Sequence, residues 1–461
     1  MALIMTLFVG VNVVMILQHR RIFPPVGRWS LWLCLSLALG TLLCSQTLWL
    51  GMLLTGKSAA NLALLLDFIL LVVLLALEWG LLRKLARPEP LSIPEAENDS
   101  RWWNILPLLA GGLCLLLTLG WLKLYPDGAW DALGIWNLRA MFLANEHWAS
   151  AFHPALASSH LDYPVGHPLS VARLMSYEPA LMYFTAEHFS LSFYARLMSF
   201  HWLIVLLLGM WSMVAGLRGR WLAGLSLLVL LTLPLLAQHF SHLYADLPLA
   251  TVMLLGAGSV AMALETRRNL WWALAGFFIA SAGWTKNEGL AFALAAVVTL
   301  IAFAILTRQR SWKVWAALAL GAILPVTCLI GFKVMVPIAN DLVQTSQTGS
   351  LLSKVISPTR HWLVIRTIAT ESTLWDVLPL LLPMTWMACH KPSRTGIVLA
   401  IITGLYIVQL YLAYVITPHD LGWHVSTSIT RLQTQFWPML ILTAALWSRA
   451  RPLPETAPQG V

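Results

Sequence analysis

The chain has 461 residues, 59% of them hydrophobic and only 11% charged, with a formal net charge of +9. So apolar a composition excludes a disordered chain and leaves a water-soluble globule with no way to cover its surface. The five cysteines form no CxxC pair, which argues against a disulfide framework or thiolate metal site, and the lack of HExxH argues against a zincin-type protease.

Apolar runs recur along nearly the whole chain, at 1–17, 29–50, 60–82, 103–124, 195–216, 221–240, 246–264, 270–284, 288–307, 313–335, 372–388, 396–416 and 434–448. Most approach the roughly 17–25 residues a helix needs to cross a bilayer. They are continuous rather than alternating, so they predict helices and not barrel strands. The expected fold is an all-α polytopic transmembrane helix bundle of about 13 spans, with juxtamembrane helices on its outer face. The first run has no basic start and no small-residue cleavage site, so it reads as a span rather than a removable signal.

The basic residues gather in alternate loops: Arg20, Arg21 and Arg28; Arg83, Lys84 and Arg87; Arg218 and Arg220; Arg267 and Arg268; Arg308, Arg310 and Lys313; Lys391 and Arg394; Arg449 and Arg451. All fall on one side of a thirteen-span chain, the cytoplasmic side by the positive-inside rule. The N-terminus is then outside and the C-terminus cytoplasmic, as in an integral protein of a bacterial inner membrane. The positive charge is a topology signal rather than a nucleic-acid footprint, so no nucleic-acid partner is expected.

Three units are expected. Residues 1–101 form an N-terminal three-helix membrane unit with a polar, Pro-containing cytoplasmic linker at 86–101. Residues 102–448 form the main transmembrane domain, with an outer loop at 125–194, and 449–461 form a disordered cytoplasmic tail. Within the N-terminal unit, Asn12, Asn61, Asp67 and Glu78 read as helix-packing or interfacial residues. Trp130–Trp148 predicts a helix lying on the outer membrane surface. Residues 164–190, apolar but carrying Arg173, Glu178, Glu187 and His188, predict re-entrant or juxtamembrane helices. No internal repeat is visible.

The expected outer face carries the chemistry-bearing clusters. They are Asp127 and Asp131; His160, Asp162 and Tyr163 before Pro164; His239 and His242 with Tyr244 and Asp246; Lys286 and Glu288 in a tight turn; and His419, Asp420, Trp423 and His424 leading to Arg431 and Gln435. Ionisable groups at a membrane boundary are costly and usually have a task. A boundary carboxylate can take a proton from a hydroxyl, and cations can offset charge developing on a phosphate leaving group. Lys286, Arg431 and His424 are the phosphate candidates. Asp162, Tyr163, Asp246, His242, Glu288, Trp130 and Gln435 are the substrate-binding candidates, and the rings of Trp130, Trp136 and Trp423 can stack on sugars or anchor at the interface. Each has a structural alternative: Asp246 and Asp131 as helix caps, Asp127 as a turn residue in Pro126-Asp127-Gly128, Lys286 as a snorkelling cation.

Taken in order, an acid-bearing first outer loop, Tyr163-Pro164, Asp246-Leu247-Pro248 and Thr285-Lys286 before a span resemble the GT-C glycosyltransferases, over roughly 103–440. The resemblance is to bacterial relatives of protein mannosyltransferases and aminoarabinose transferases, and the stretch from Gly128 to Ala140 is similar to a bacterial branch with a Trp-Asp-Ala motif. It implies inverting sugar transfer from a polyprenyl-phosphate donor to a glycan, lipid or protein acceptor. The base it implies is a first-loop carboxylate, Asp131 or alternatively Asp127. It implies no certain cofactor and leaves a divalent metal open. Many relatives place a Lys beside the prolines where this chain has Asp162-Tyr163-Pro164, so Lys286 or Arg431 must serve instead. The competing reading is a transporter or flippase of lipid-linked sugars, which would carry charges near the bilayer midplane and inverted repeats.

Overall fold

The computed structural model describes residues 1–19, 23–24, 27–80, 105–177, 191–308, 311–338, 351–371 and 392–447. The linker at 86–101, the apolar run at 372–388 and the tail from 449 lie outside the described residues. So do Arg20, Arg21, Arg83, Lys84, Arg87, Glu178, Glu187, His188, Arg310, Cys389 and Lys391.

Among the described residues the chain is all-helical, with no β-strand. The first four helices are α1 (Ala2–His19), α2 (Arg28–Thr55), α3 (Ala59–Gly80) and α4 (Ile105–Leu124). The outer loop holds α5 (Asn137–Ala144), entered through a π-turn at Ala132–Trp136, and α6 (Gly166–Met175). Then follow α7 (Leu191–Arg218), α8 (Arg220–Leu231), α9 (Pro234–His242), α10 (Asp246–Thr266), α11 (Asn269–Thr285), α12 (Asn287–Leu306) and α13 (Trp312–Met335). The last four are α14 (Leu351–Val355), α15 (Pro358–Glu371), α16 (Arg394–Ile416) and α17 (Leu421–Trp447).

Among the described residues, seven helices are long and apolar enough to cross a membrane: α2, α3, α7, α10, α12, α13 and α16. The pair α8 and α9, bent by 60°, makes an eighth if read as one span. The chain is therefore a helical membrane protein. The other predicted spans that fall on described residues are also helical; α4 has 20 residues and α11 has 17.

Burial separates inner from outer helices. The apolar window of α10 is 94% buried within the protein, whereas those of α3 and α13 are 22% and 17% buried. An unburied face rich in Leu, Ile and Val is what a lipid-facing helix presents. Close backbone approach is made by small residues, since a Cβ on Gly276 would strike the Leu318 carbonyl and one on Gly321 the Ala273 carbonyl where α11 crosses α13.

The predicted surface helix is shorter than its sequence pattern. It ends at Ala144, where the Asn145 side chain donates to the Met141 carbonyl at 2.7 Å. Trp148 instead lies in a short 3-10 turn and its indole N–H donates to Gly56 O at the end of α2, 2.9 Å away. Buried indole N–H groups usually find an acceptor, and Trp148 finds this one outside the helix.

The contacts sort the helix ends into two groups. At one end Arg218, closing α7, donates to Glu265 near the end of α10 at 2.9 Å and to Leu446 O near the end of α17 at 3.3 Å. Ser393, just before α16, joins the same end through Leu446 O at 2.7 Å. Asp246 opens α10, 19 residues before Glu265, which places it about 28 Å away along the helix axis. The N-termini of α10, α12 and α17 and the C-termini of α4 and α11 thus share the end opposite Arg218.

Candidate functional site

The site is built at that second end, around the turn between α11 and α12. Lys286 is the single residue separating these helices, and it is extended, with φ −160° and ψ 156°. Its ammonium lies 2.9 Å from Asp246 Oδ1 and 2.8 Å from Glu288 Oε1. Both acids sit in the first turn of a helix, α10 and α12, where the exposed N–H groups favour negative charge. Burial alone would lower the pKa of Lys286, but Asp246 and then Glu288 outweigh it, and the net direction is upward.

The neighbouring helices lock this triad. The Gln435 amide of α17 donates to Asp246 Oδ1, and its carbonyl accepts from the Tyr406 hydroxyl of α16 at 2.6 Å. Trp136 and Tyr163 stack face to face, centroids 5.6 Å apart at 7°, and Lys286 Nζ lies 6.0 Å and 5.8 Å from their centres. His160 stacks on Tyr163 at 5.1 Å.

The rim of the site joins the first outer loop to α17. Arg431 Nη1 donates to Asp131 Oδ2, and these side chains are 22% and 21% exposed. The Arg431 guanidinium lies 5.5 Å from the Tyr244 ring centre, and the Tyr244 hydroxyl accepts from the Asp131 backbone N–H at 3.4 Å. Ala129 N–H also donates to His242 O at 3.1 Å. The loop is turned into this position by Gly128, whose φ of +84° glycine adopts readily.

The two first-loop acids part company. Asp127 faces the start of α7, where it accepts from the Ser192 hydroxyl. Asp131 faces α17. Neither Asp131 nor Asp246 caps a helix with its side chain: Ala245 holds the N-cap position of α10, and Asp131, before the π-turn, makes no capping bond. Both caps were expected as structural alternatives, and ion pairing with Arg431 and Lys286 takes their place.

Asp162 accepts from the Asn287 amide at 2.6 Å, so it also belongs to the cluster. His424 bonds Thr417 Oγ1 through Nδ1 at 2.8 Å and lies within electrostatic reach of Arg431. Trp130 is 83% exposed and Trp423 58% exposed, so both rings sit at the surface around the cluster. His167 of α6 is held near a pKa of about 4 by burial and is uncharged at neutral pH.

Two cations escaped the sequence reading as site residues. Arg139 of α5 is fully buried and donates to Tyr163 O at 2.8 Å; Lys333 of α13 donates to Asp162 O at 2.8 Å. Burial lowers the Arg139 pKa to about 10, with Asp162 acting against that shift. A lone Lys near the end of an apolar run was the available signal for Lys333. Among the described residues no group of three or more His, Cys, Asp or Glu is arranged to hold a metal ion. No family model, curated protein or solved structure matches the chain.

Proposed function

We propose that the chain is a GT-C-like membrane glycosyltransferase, moving a sugar from a polyprenyl-phosphate donor to a hydroxyl acceptor at the outer face of a bacterial inner membrane. In this reading the end of the bundle carrying Lys286 faces outward and the end carrying Arg218 faces the cytoplasm. The chain then crosses about 13 times, with its N-terminus outside. The observation that carries the proposal is the Asp131–Arg431 pair, a part-exposed carboxylate and cation at the mouth of a cluster of charges and stacked rings. A hydroxyl from water and a phosphate whose lipid tail stays in the bilayer can meet there.

In the transfer, Asp131 takes the acceptor O–H proton and the acceptor oxygen bonds to the anomeric carbon. The bond from that carbon to the phosphate oxygen breaks, its electron pair staying on the phosphate. Arg431, with Lys286 behind it, offsets the charge left there. Asp131 is taken as the base because it sits beside the phosphate candidate Arg431 at the mouth of the cluster, whereas Asp127 faces Ser192 at the start of α7.

The test is transfer from labelled polyprenyl-phosphate sugars in lipid extract. Asp131→Asn keeps the shape of the side chain but not its basicity, so turnover should fall by about 10²–10⁴-fold in a protein that still folds. Asp127→Asn should stay near wild type. Full activity in both variants would reject a first-loop base, and no transfer from any donor by folded wild type would reject the enzyme reading. Reporter fusions at Gly128, Lys286 and Asp420 should read outside and those at Arg268 and Arg394 inside. A cytoplasmic Lys286 would remove the shared outer site.

A further inference from the structure

Beneath the Asp131–Arg431 rim lie two imidazoles with unmet hydrogen bonds. His239 and His242 are one helical turn apart on α9, 2% and 9% exposed, with ring centroids 5.1 Å apart at 87°. None of their four ring nitrogens has a hydrogen-bond partner. An uncharged imidazole has one N–H to donate and one nitrogen to accept, and leaving buried polar groups unpaired costs about 1–3 kcal/mol each. So many unpaired atoms in one place call for an explanation.

The surroundings point to what would pair with them. His242 is edge-on to Tyr125 at 4.9 Å and tilted against Tyr244 at 5.3 Å, the same Tyr244 that stacks with Arg431. Both imidazoles are within electrostatic reach of Asp246 and Arg431. Asp246 Oδ2 and Arg431 Nε are also buried without a partner. The unpaired set therefore mixes donors with acceptors beside aromatic faces. A phosphate would use only the donors. A sugar ring presents hydroxyls that donate and accept, and C–H faces that pack on tyrosine.

We propose that His239 and His242, with the free oxygen of Asp246, form the sugar-ring subsite of this protein. The proposal rests on the glycosyltransferase reading for its place in the reaction, but not for its test. Ring hydroxyls would bridge the two imidazoles and Asp246 Oδ2, holding the sugar under the Asp131 carboxylate. The step is one of binding, and no bond is made or broken by the histidines.

The experiment is saturation-transfer difference NMR on the full chain in nanodiscs free of glycoside detergent, titrated with methyl hexosides, pentosides and their amino and N-acetyl forms. At least one should give transfer to its ring protons. Affinity should drop by about tenfold or more in His239→Leu and in His242→Phe, from the lost hydrogen bonds. His242→Gln, which restores a donor and an acceptor, should recover part of it. Thermal unfolding of each variant identifies any that have merely lost the fold, and His242→Gln then decides. No signal from any glycoside with folded wild type would overturn the subsite. So would stoichiometric Zn²⁺ binding that raises thermal stability in wild type but not in His239→Leu, because the imidazoles would then be metal ligands. Sugar binding without Asp131-dependent transfer would leave the subsite standing and remove the enzyme reading. Transfer unaffected by either histidine would do the reverse.

Discussion

Two buried ion-pair networks in this molecule are built on opposite principles. Where α6 meets the N-terminal helices, every nitrogen of the Arg173 guanidinium is used: Nε donates to Asp67 Oδ2 at 2.8 Å, Nη1 to Thr6 Oγ1 at 2.7 Å and Nη2 to Ala2 O at 3.3 Å. Tyr177 adds a hydroxyl to the same Asp67 oxygen at 2.5 Å. Around Lys286 the cation is also paired, but Asp246 Oδ2, Glu288 Oε2, Arg431 Nε and both histidines of α9 retain unused valence. Among the described side chains of the Arg173 network, only Asp67 Oδ1 lacks a partner. A nearly saturated network fixes α3, α1 and α6 to one another. An under-satisfied one at a helix-end cluster is suited to accept something from outside.

The sharpest way to break this contrast is to remove one charge from each network and then its partner. Arg173→Met leaves Asp67 buried and uncompensated, which should cost about 3–5 kcal/mol of stability, read by reversible SDS denaturation in micelles. The double variant Asp67→Leu with Arg173→Met should regain most of that loss, since apolar groups can replace a purely structural pair. A single variant as stable as wild type would show that the network does not hold α6.

Lys286→Met should cost somewhat less, about 3 kcal/mol, because Glu288 keeps part of its surface in water. Here the double variant with Asp246→Leu should recover stability but not donor binding, measured with a labelled lipid-phosphate sugar. Recovery of both would make this network structural too.

A smaller effect concerns pH. Because the folded pKa of Lys286 is raised above the ordinary 10.5, its contribution is complete below that value and is lost only as pH climbs through the folded pKa. Between about pH 6 and 9 the wild type and Lys286→Met should therefore differ by a constant stability increment. An increment that shrinks as pH rises toward 9 would mean that the ammonium is not held by its two acids. Smallest of all, Trp130→Ala should change stability by less than about 0.5 kcal/mol, as the ring is 83% exposed. A larger loss would place Trp130 inside a contact this structure does not contain.

The helical elements were legible because hydrophobic run length is a local property. The run at 288–307 became Asn287–Leu306, and the run at 313–335 became Trp312–Met335. A tight turn around Lys286 was legible for the same reason, though the runs left three residues for it and the helices leave one. The facing of Asp127 and Asp131 was not: four residues apart, they suit one helix face, and only the Gly128 turn and the partners at Ser192 and Arg431 separate them. Asp67 and Arg173 stand 106 positions apart, and each alone reads as an isolated polar residue of an apolar helix. Long-range pairing of that kind leaves no periodicity to read. The end of the surface helix was missed because Trp148 is drawn off by a carbonyl 92 residues away.

The single residue joining α11 to α12 sets how this region can change over time. Substitutions there alter charge, but a change of length would alter geometry everywhere downstream. One inserted residue would turn α12 by about 100° about its axis. Glu288 would leave Lys286, Asn287 would leave Asp162, and the Gly289 backbone, which leaves no room for a Cβ against the Ala282 carbonyl, would lose its seat. A substitution at this junction removes only the ion pairs of Lys286, whereas an insertion or deletion removes those pairs and the seating of α12 together.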